Sequence, residues 1–250
     1  MRYFAELSYK GPAYCGWQRQ PNAPSVQQTI EEALSTLLRE SVEVVGAGRT
    51  DTGVHAAFYV AHFDTSRPIA NPSDFVYHLN ALLPEDIAFG RIYEVDDDAH
   101  ARFDATEREY RYYIESRKNP FTRATSWQLT TPLDVNAMNR AAQVLLATED
   151  FTTFAKLGSN NTNNICHIFR AEWIEIECGM LVFVFRANRF LRNMVRAVVG
   201  TLVDVGRGKS TPEEFADIVA SRNLSRSSSS APAAGLFLTD VSYNGLEKDK

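Results

Sequence analysis

Along this chain the spacing of apolar residues switches between two and 3.6, in an order that occurs twice. Residues 2–10 alternate, with Tyr3, Ala5, Leu7 and Tyr9 on one face, which predicts a strand. Ser25, with Gln28 three residues on, reads as a capping box opening a helix. Val26, Ile30, Ala33, Leu34, Leu37 and Leu38 form its apolar stripe. Strands over 42–47 and 57–63, a helix over 72–83 opened by Pro72, and a strand over 87–95 complete the first round. The second begins with the strand 107–116, where Arg108, Tyr110, Tyr112 and Ile114 share a face. It continues with a helix over 134–148 that turns Val135, Met138, Ala142, Leu145 and Leu146 inward, and a hairpin over 167–187 turning at Gly179. A helix over 190–205, a further helix from the Thr211 capping box and a strand over 235–243 close it. The stretches 117–133, 158–164 and 225–234 read as loops.

Strand–helix–strand–strand–helix–strand, twice, with one further helix before the last strand, implies an α+β chain of two similar halves, each a mixed or antiparallel sheet backed by helices. The halves are placed at 1–103 and 104–250, with an active-site cleft between them. Composition closes off other classes. A hydrophobic fraction of 44% and a charged fraction of 23% are ordinary globular usage. No apolar run approaches a membrane span, and the alternating N-terminus lacks a signal-peptide core. Three widely separated cysteines fit a reduced, cytoplasmic chain and no zinc spacing. The net charge of −5 argues mildly against a nucleic-acid partner, but the cations are 20 Arg against 6 Lys, and a basic cleft survives a negative mean.

Three segments can carry chemistry. The octapeptide from Gly48 to His55 holds Arg49, Asp51 and His55 between two glycines. It reads either as a tight turn with Asp51 capping local N–H groups, or as a cleft turn with Asp51 as nucleophile or base and Arg49 on phosphate. Asp51-Thr52-Gly53 is also the aspartic-protease triplet, but that chemistry needs a second copy and none occurs. His55 belongs to no metal spacing and no G-x-S-x-G, and reads as a turn or core histidine; no phosphate loop or dinucleotide fingerprint is present either. The second segment is the strand around Tyr110, flanked by Arg102 and Arg108. It is either core or a base-stacking platform. The third is Arg189, Arg192 and Arg196, at i, i+3 and i+7 of the helix expected from Phe190. That stripe is either a solvated face or a set of forks for phosphate and a buried carboxylate.

These segments, with Tyr14–Gln20, Asn80–Ile87, His100–Ala105, Asp150-Phe151, Asn188–Arg196 and Gly235–Leu238, resemble the tRNA pseudouridine synthase A family over nearly the whole chain. The resemblance implies isomerisation of uridine to pseudouridine at tRNA positions 38–40, in the anticodon stem-loop, without cofactor or catalytic metal. It implies a homodimer in which one tRNA touches both subunits. Asp51 matches the family's catalytic aspartate and Tyr110 the tyrosine that packs on the target base. Arg49 matches the arginine associated with flipping the nucleotide, and Arg196 the arginine that pairs with the aspartate. Arg19, Arg102, Arg189 and Arg192 are read as further substrate contacts. The chain departs from the pattern at Thr52, where many members have Ala, at Arg192, where several have His, and over 156–164, which matches nothing. The rival reading is a tRNA-binding protein without catalysis.

Overall fold

The computed structural model describes residues 1–156, 158, 162–176 and 179–245. They form an α+β structure of nine strands and five α-helices among the described residues, in two units. One unit is Met1–Thr106 with Leu238–Lys250 and the other is Glu107–Phe237, so the last strand belongs mostly with the N-terminal elements. The sequence reading divides the chain once, at 103/104.

In the first unit β1 (Arg2–Tyr9) is central. It pairs antiparallel with β3 (His55–Asp64) on one side and β4 (Ile87–Val95) on the other. The short β2 (Val44–Gly46) and β9 (Leu236–Tyr243) both join β3. Helices α1 (Val26–Leu38) and α2 (Pro72–Leu82) pack against each other, α1 against β2 and α2 against β4. Phe4 and Tyr3 are both buried, so β1 is covered on both faces although alternation suggests a single one. The Ser25 hydroxyl caps α1 by accepting from the Gln28 N–H at 3.2 Å. The Gln28 side chain turns to Glu32 instead of returning to the cap, so only half of the expected box forms.

The second unit has β5 (Ala105–Glu115), β8 (Met180–Ala187) and β7 (Ile168–Ile176) as an antiparallel sheet. A two-residue β6 (Trp127–Gln128) returns parallel to β5. Helix α3 (Val135–Gln143) packs on β7 and on α4 (Met194–Gly206) and α5 (Pro212–Ala220). The Thr211 capping box forms in both directions. Two helices differ from the sequence reading. The end of α3 tightens into a 3₁₀ turn over Val144–Ala147, which keeps Leu145 inside and leaves Leu146 43% exposed. Helix α4 begins at Met194, not Phe190, because Asn193 takes φ +64° and breaks the helical path. Arg189 and Arg192 therefore lie on the turn before α4, and the expected helical arginine stripe does not exist. The loop expected at 158–164 falls partly outside the described residues.

His62 on β3 is buried, and its Nδ1 accepts the Ala101 N–H at 3.0 Å. Burial, assisted by the neighbouring Arg2 and His100 charges, pushes its pKa down to about 4. In the unfolded chain the ring protonates near 6.5. The unfolded state thus binds the extra proton first as pH falls, and stability is lost between about pH 6.5 and 4, by up to about 3 kcal/mol. Urea titrations across that window should show this slope in the native chain and a flatter one in His62→Asn, whose Oδ1 can replace Nδ1. Equal slopes would remove His62 as the cause.

Candidate active site

The Gly48–His55 turn is built on an aromatic stack. Trp17 and Tyr59 lie with ring centroids 4.2 Å apart, and Tyr9 closes the group at 6.1 and 5.6 Å from them. All three are nearly inaccessible. Gly16 and Trp17 are thus interior, although the run Gly16–Gln20 reads from sequence as exposed; only Gln18, Arg19 and Gln20 are. The Tyr59 hydroxyl donates to the Gly48 carbonyl, and the Tyr9 hydroxyl shares a hydrogen bond with the Thr50 hydroxyl at 2.8 Å. The Trp17 N–H donates to the Thr50 carbonyl at 3.3 Å, and the Val54 N–H to the Asp51 carbonyl at 3.1 Å. Residues on both sides of Arg49 are therefore fixed, and half-buried Asp51 follows directly. A side chain at Gly16 would meet the Thr50 carbonyl at 2.4 Å, so the loop before α1 can lie against this turn only with glycine there.

His55 begins β3 and is fully buried, its Nδ1 accepting the Gly11 N–H at 3.4 Å. This is the core-histidine reading. Tyr9, Trp17 and Tyr59 carry no motif chemistry, and their part in the site is not legible from spacing. The only signal is aromatic density on three segments that meet.

Beside the turn lies a cavity of about 130 Å³ lined by Trp17, Gln18, Gln27, Gly46, Arg49 and Arg102 among others. Arg49 and Arg102, distant in sequence, thus both line it. The Arg49 Nε donates to Gln18 Oε1 at 3.1 Å. Gln27 is a hub: its amide donates to Glu31 and to the Val44 carbonyl, and its oxygen accepts from Gln18 and from the Arg19 N–H. Glu31 is buried and accepts Arg19 Nη1 at 3.0 Å. Arg19 therefore sits near the cavity as the counter-charge of a buried carboxylate.

In the second unit Tyr110 is half-buried on β5, opposite Phe185 of β8. The Phe190 ring meets it edge-on at 5.1 Å and also packs on Phe185 at 5.1 Å. This explains the break before α4: Phe190 belongs to an aromatic support for Tyr110. Arg108 Nη1 donates to the Asn188 carbonyl at 2.8 Å, and Arg189 Nη1 to Asn163 Oδ1 at 3.2 Å. Arg192 is exposed. Arg196, on the first turn of α4, donates Nε to the Ala231 carbonyl at 2.7 Å, while the Ala231 N–H donates to the Arg196 carbonyl at 3.0 Å.

A half-buried carboxylate on a clamped turn, with two arginines lining a cavity that the same turn borders, is equipment for an anionic substrate. A family model described as tRNA pseudouridine synthase matches residues 5–104 and 141–244. The chain belongs to the tRNA pseudouridine synthase family. Its relatives named tRNA pseudouridine synthase A include one from Porphyromonas gingivalis, 50% identical over 246 residues and covering 97% of both chains. One from Bacteroides thetaiotaomicron is 50% identical over 244 residues, 97% of this chain and 90% of that one. One from Bacillus subtilis is 38% identical over 249 residues, 98% of this chain and all of that one. In this synthase-family chain the Asp51 turn lies inside the first matched segment and Arg196 inside the second. Tyr110 lies between them.

Gly46 is what lets the turn sit on its stack. A Cβ there would lie 2.1 Å from the Tyr59 hydroxyl and 2.6 Å from Trp17, whereas one at Gly48 meets nothing within 4 Å. Gly46→Ala should cost about 1–3 kcal/mol through overpacking, and Gly48→Ala should stay within about 0.5 kcal/mol of the native chain. Chemical denaturation of both variants checks this; indistinguishable midpoints would show that the stack does not constrain residue 46.

Proposed function

We propose that this member of the family isomerises uridine to pseudouridine at tRNA positions 38–40, in the anticodon stem-loop, with Asp51 as the catalytic carboxylate. The observation that supports the reading most is the clamped turn: two tyrosine hydroxyls hold Gly48 and Thr50, the residue before Asp51, and Gly48, Arg49 and Arg102 line a cavity. The reaction breaks the bond between uracil N1 and ribose C1′, turns the base, and joins C5 to C1′. A positioned carboxylate serves it by attacking as nucleophile or by taking a sugar proton. Both routes need the carboxylate ionised, and neither needs a cofactor.

A uridine stacked in a stem has to leave it, at a cost of a few kcal/mol. Arg49 is placed on the exposed flank of the turn, where it can stabilise the flipped nucleotide. Tyr110, buttressed by Phe190, offers a stacking surface of the kind worth about 1–3 kcal/mol per base. Arg196 is assigned as the partner of the Asp51 carboxylate; its Nε bond to Ala231 holds the guanidinium in one orientation. Arg102, Arg189 and Arg192 are assigned to the RNA backbone, and Arg19 to the same surface in addition to its bond to Glu31. The working form is a homodimer in the cytoplasm. No helix among the described residues is long and apolar enough to cross a membrane. A tRNA-binding protein without catalysis would use the same arginines but would have no use for a clamped carboxylate.

Tritium release from 5-tritiated uridine in a tRNA transcript tests the proposal. Asp51→Asn should lose about 10³-fold or more in turnover, with tRNA binding and the thermal midpoint largely kept. Residual release above that level would remove Asp51 as the catalytic group. Tyr110→Phe keeps the stacking face and should retain binding while losing turnover; unchanged single-turnover rates would reduce the residue to a platform. Arg196→Lys should recover only part of what Arg196→Ala loses, because an ammonium has no planar fork. Equal rates for the two variants would dissolve the pairing.

A further inference from the structure

We propose that the loop between β5 and β6, residues 116–126, is a second RNA-binding element, in which Phe121 stacks on an unpaired nucleobase and Arg117, Lys118 and Arg123 take the flanking phosphates. The inference rests on the tRNA reading above and concerns a segment outside both stretches that the family model matches. Four observations carry it.

Phe121 is 92% exposed, the most exposed of the large apolar side chains described. No ring contact holds it, and no hydrogen bond or ion pair engages the side chains of Arg117, Lys118 or Arg123 among the described residues. The loop contains no acidic residue, so it carries three positive charges in a chain whose net charge is −5. These features alone would fit a solvated turn.

The fourth observation is that the loop is built. β6 returns parallel to β5, with Ile114 opposite Trp127 and Glu115 opposite Gln128, so both ends are pinned side by side. Glu115 is buried and serves as the loop's internal anchor. Its carboxylate accepts from Asn119 Nδ2 at 3.1 Å and from the Thr122 hydroxyl, and its carbonyl accepts the Leu129 N–H at 2.8 Å. Asn119 in turn accepts the Phe121 N–H at 3.0 Å, and its carbonyl accepts from Gln128 Nε2 at 2.6 Å. Thr122 O accepts from the Thr125 N–H and the Ser126 hydroxyl. Pro120 restricts the backbone just before Phe121. A segment left to water has no need of a buried carboxylate holding its tip in one shape.

An exposed aromatic on a pinned backbone among unengaged cations matches a partner with exposed π-faces and regular anionic charge, which single-stranded RNA provides. A second copy of this chain, meeting the patch about a two-fold axis, would bring three more cations against the first three.

The test uses the full chain and a tRNA transcript, with binding read by anisotropy and turnover by tritium release. Phe121→Ala should raise Kd and KM roughly ten-fold while leaving kcat at saturating tRNA unchanged. Phe121→Trp should restore affinity, and tRNA should quench the added indole emission. Arg117→Gln/Lys118→Gln/Arg123→Gln should flatten the slope of log K against log salt by about 2, since each phosphate contact adds about 0.7–0.9. Unchanged Kd and salt slope would overturn the proposal. So would a shift of Phe121→Ala to a smaller species in sedimentation with tRNA affinity per protomer intact, which would make the loop a protein interface. If the native chain binds tRNA through this loop but releases no tritium, the catalytic reading fails and the loop assignment stands. If it neither binds nor modifies tRNA, both fall.

Discussion

Trp17 and Tyr59 can stack at 4.2 Å because residue 46 has no side chain, and the order of the first unit's site follows from that contact. With the two rings in place, the Tyr59 hydroxyl reaches the Gly48 carbonyl and the Trp17 backbone reaches Thr50. Tyr9, on the central strand, then meets the Thr50 hydroxyl. Three segments separated in sequence thus hold the residues on either side of Arg49. The role proposed for Asp51 requires a carboxylate held close to its working position. A surface turn stitched only by its own hydrogen bonds would open locally at small cost. Here, opening the turn means breaking buried contacts.

Charge is arranged on a related principle. Glu31, Glu109 and Glu115 are all buried, a costly placement unless each oxygen is satisfied. Each is. Glu31 holds Arg19, Gln27 and the Val44 N–H; Glu109 holds Arg111 at 3.0 Å with Arg186 near at 3.5 Å; Glu115 anchors the 116–126 loop. By contrast Glu94, Asp96, Asp97 and Asp98 are exposed on the end of β4 and the turn after it. Some of the acids are thus internal fasteners, while the run at 94–98 stays on the surface. Net charge is a poor guide to where RNA can bind, because part of the acidic charge is neutralised inside and the 116–126 loop itself contains no acid.

Much of this was readable from spacing. The limits of β4 match the alternation, Ser25 and Thr211 cap their helices, and the hairpin turns where Gly179, at φ +79°, allows it. The Asp51 turn was visible because glycine, arginine and aspartate in that order are rare and chemically loaded. The misreading before α4 has a physical cause. Phe190 and Leu191 fall in phase with Met194, Val195 and Val198, so periodicity extends the helix backward. Leu191 is buried and Phe190 half-buried, but Phe190 obtains its cover against Tyr110 and Phe185 of the sheet. Periodicity reports that a residue is inside, not which element it is inside with. The same limit hid Trp17, whose polar neighbours Gln18, Arg19 and Gln20 mask a side chain only 2% exposed.

The Ser- and Ala-rich segment after α5 shows what sequence alone could not supply. Composition marks it as loop, yet it is a strap on α4. The Ser228 N–H donates to the Thr201 hydroxyl at 3.2 Å, Asn193 Nδ2 to the Ser230 hydroxyl at 2.7 Å, and Ala231 exchanges bonds with Arg196. A side chain at Gly200 would lie 2.1 Å from the Ser229 carbonyl, so the strap can approach only over a glycine. Small residues on the strap and a glycine on the helix therefore serve one end, which is to bring a carbonyl to the Arg196 guanidinium. Each unit thus uses a main-chain carbonyl as an anchor: Gly48 for the Tyr59 hydroxyl in one, Ala231 for the Arg196 guanidinium in the other. A carbonyl fixed by the fold cannot change rotamer, so it restrains its partner more tightly than a second side chain would. Where a site must present charge in one direction, backbone brought close by glycine is the stiffer support.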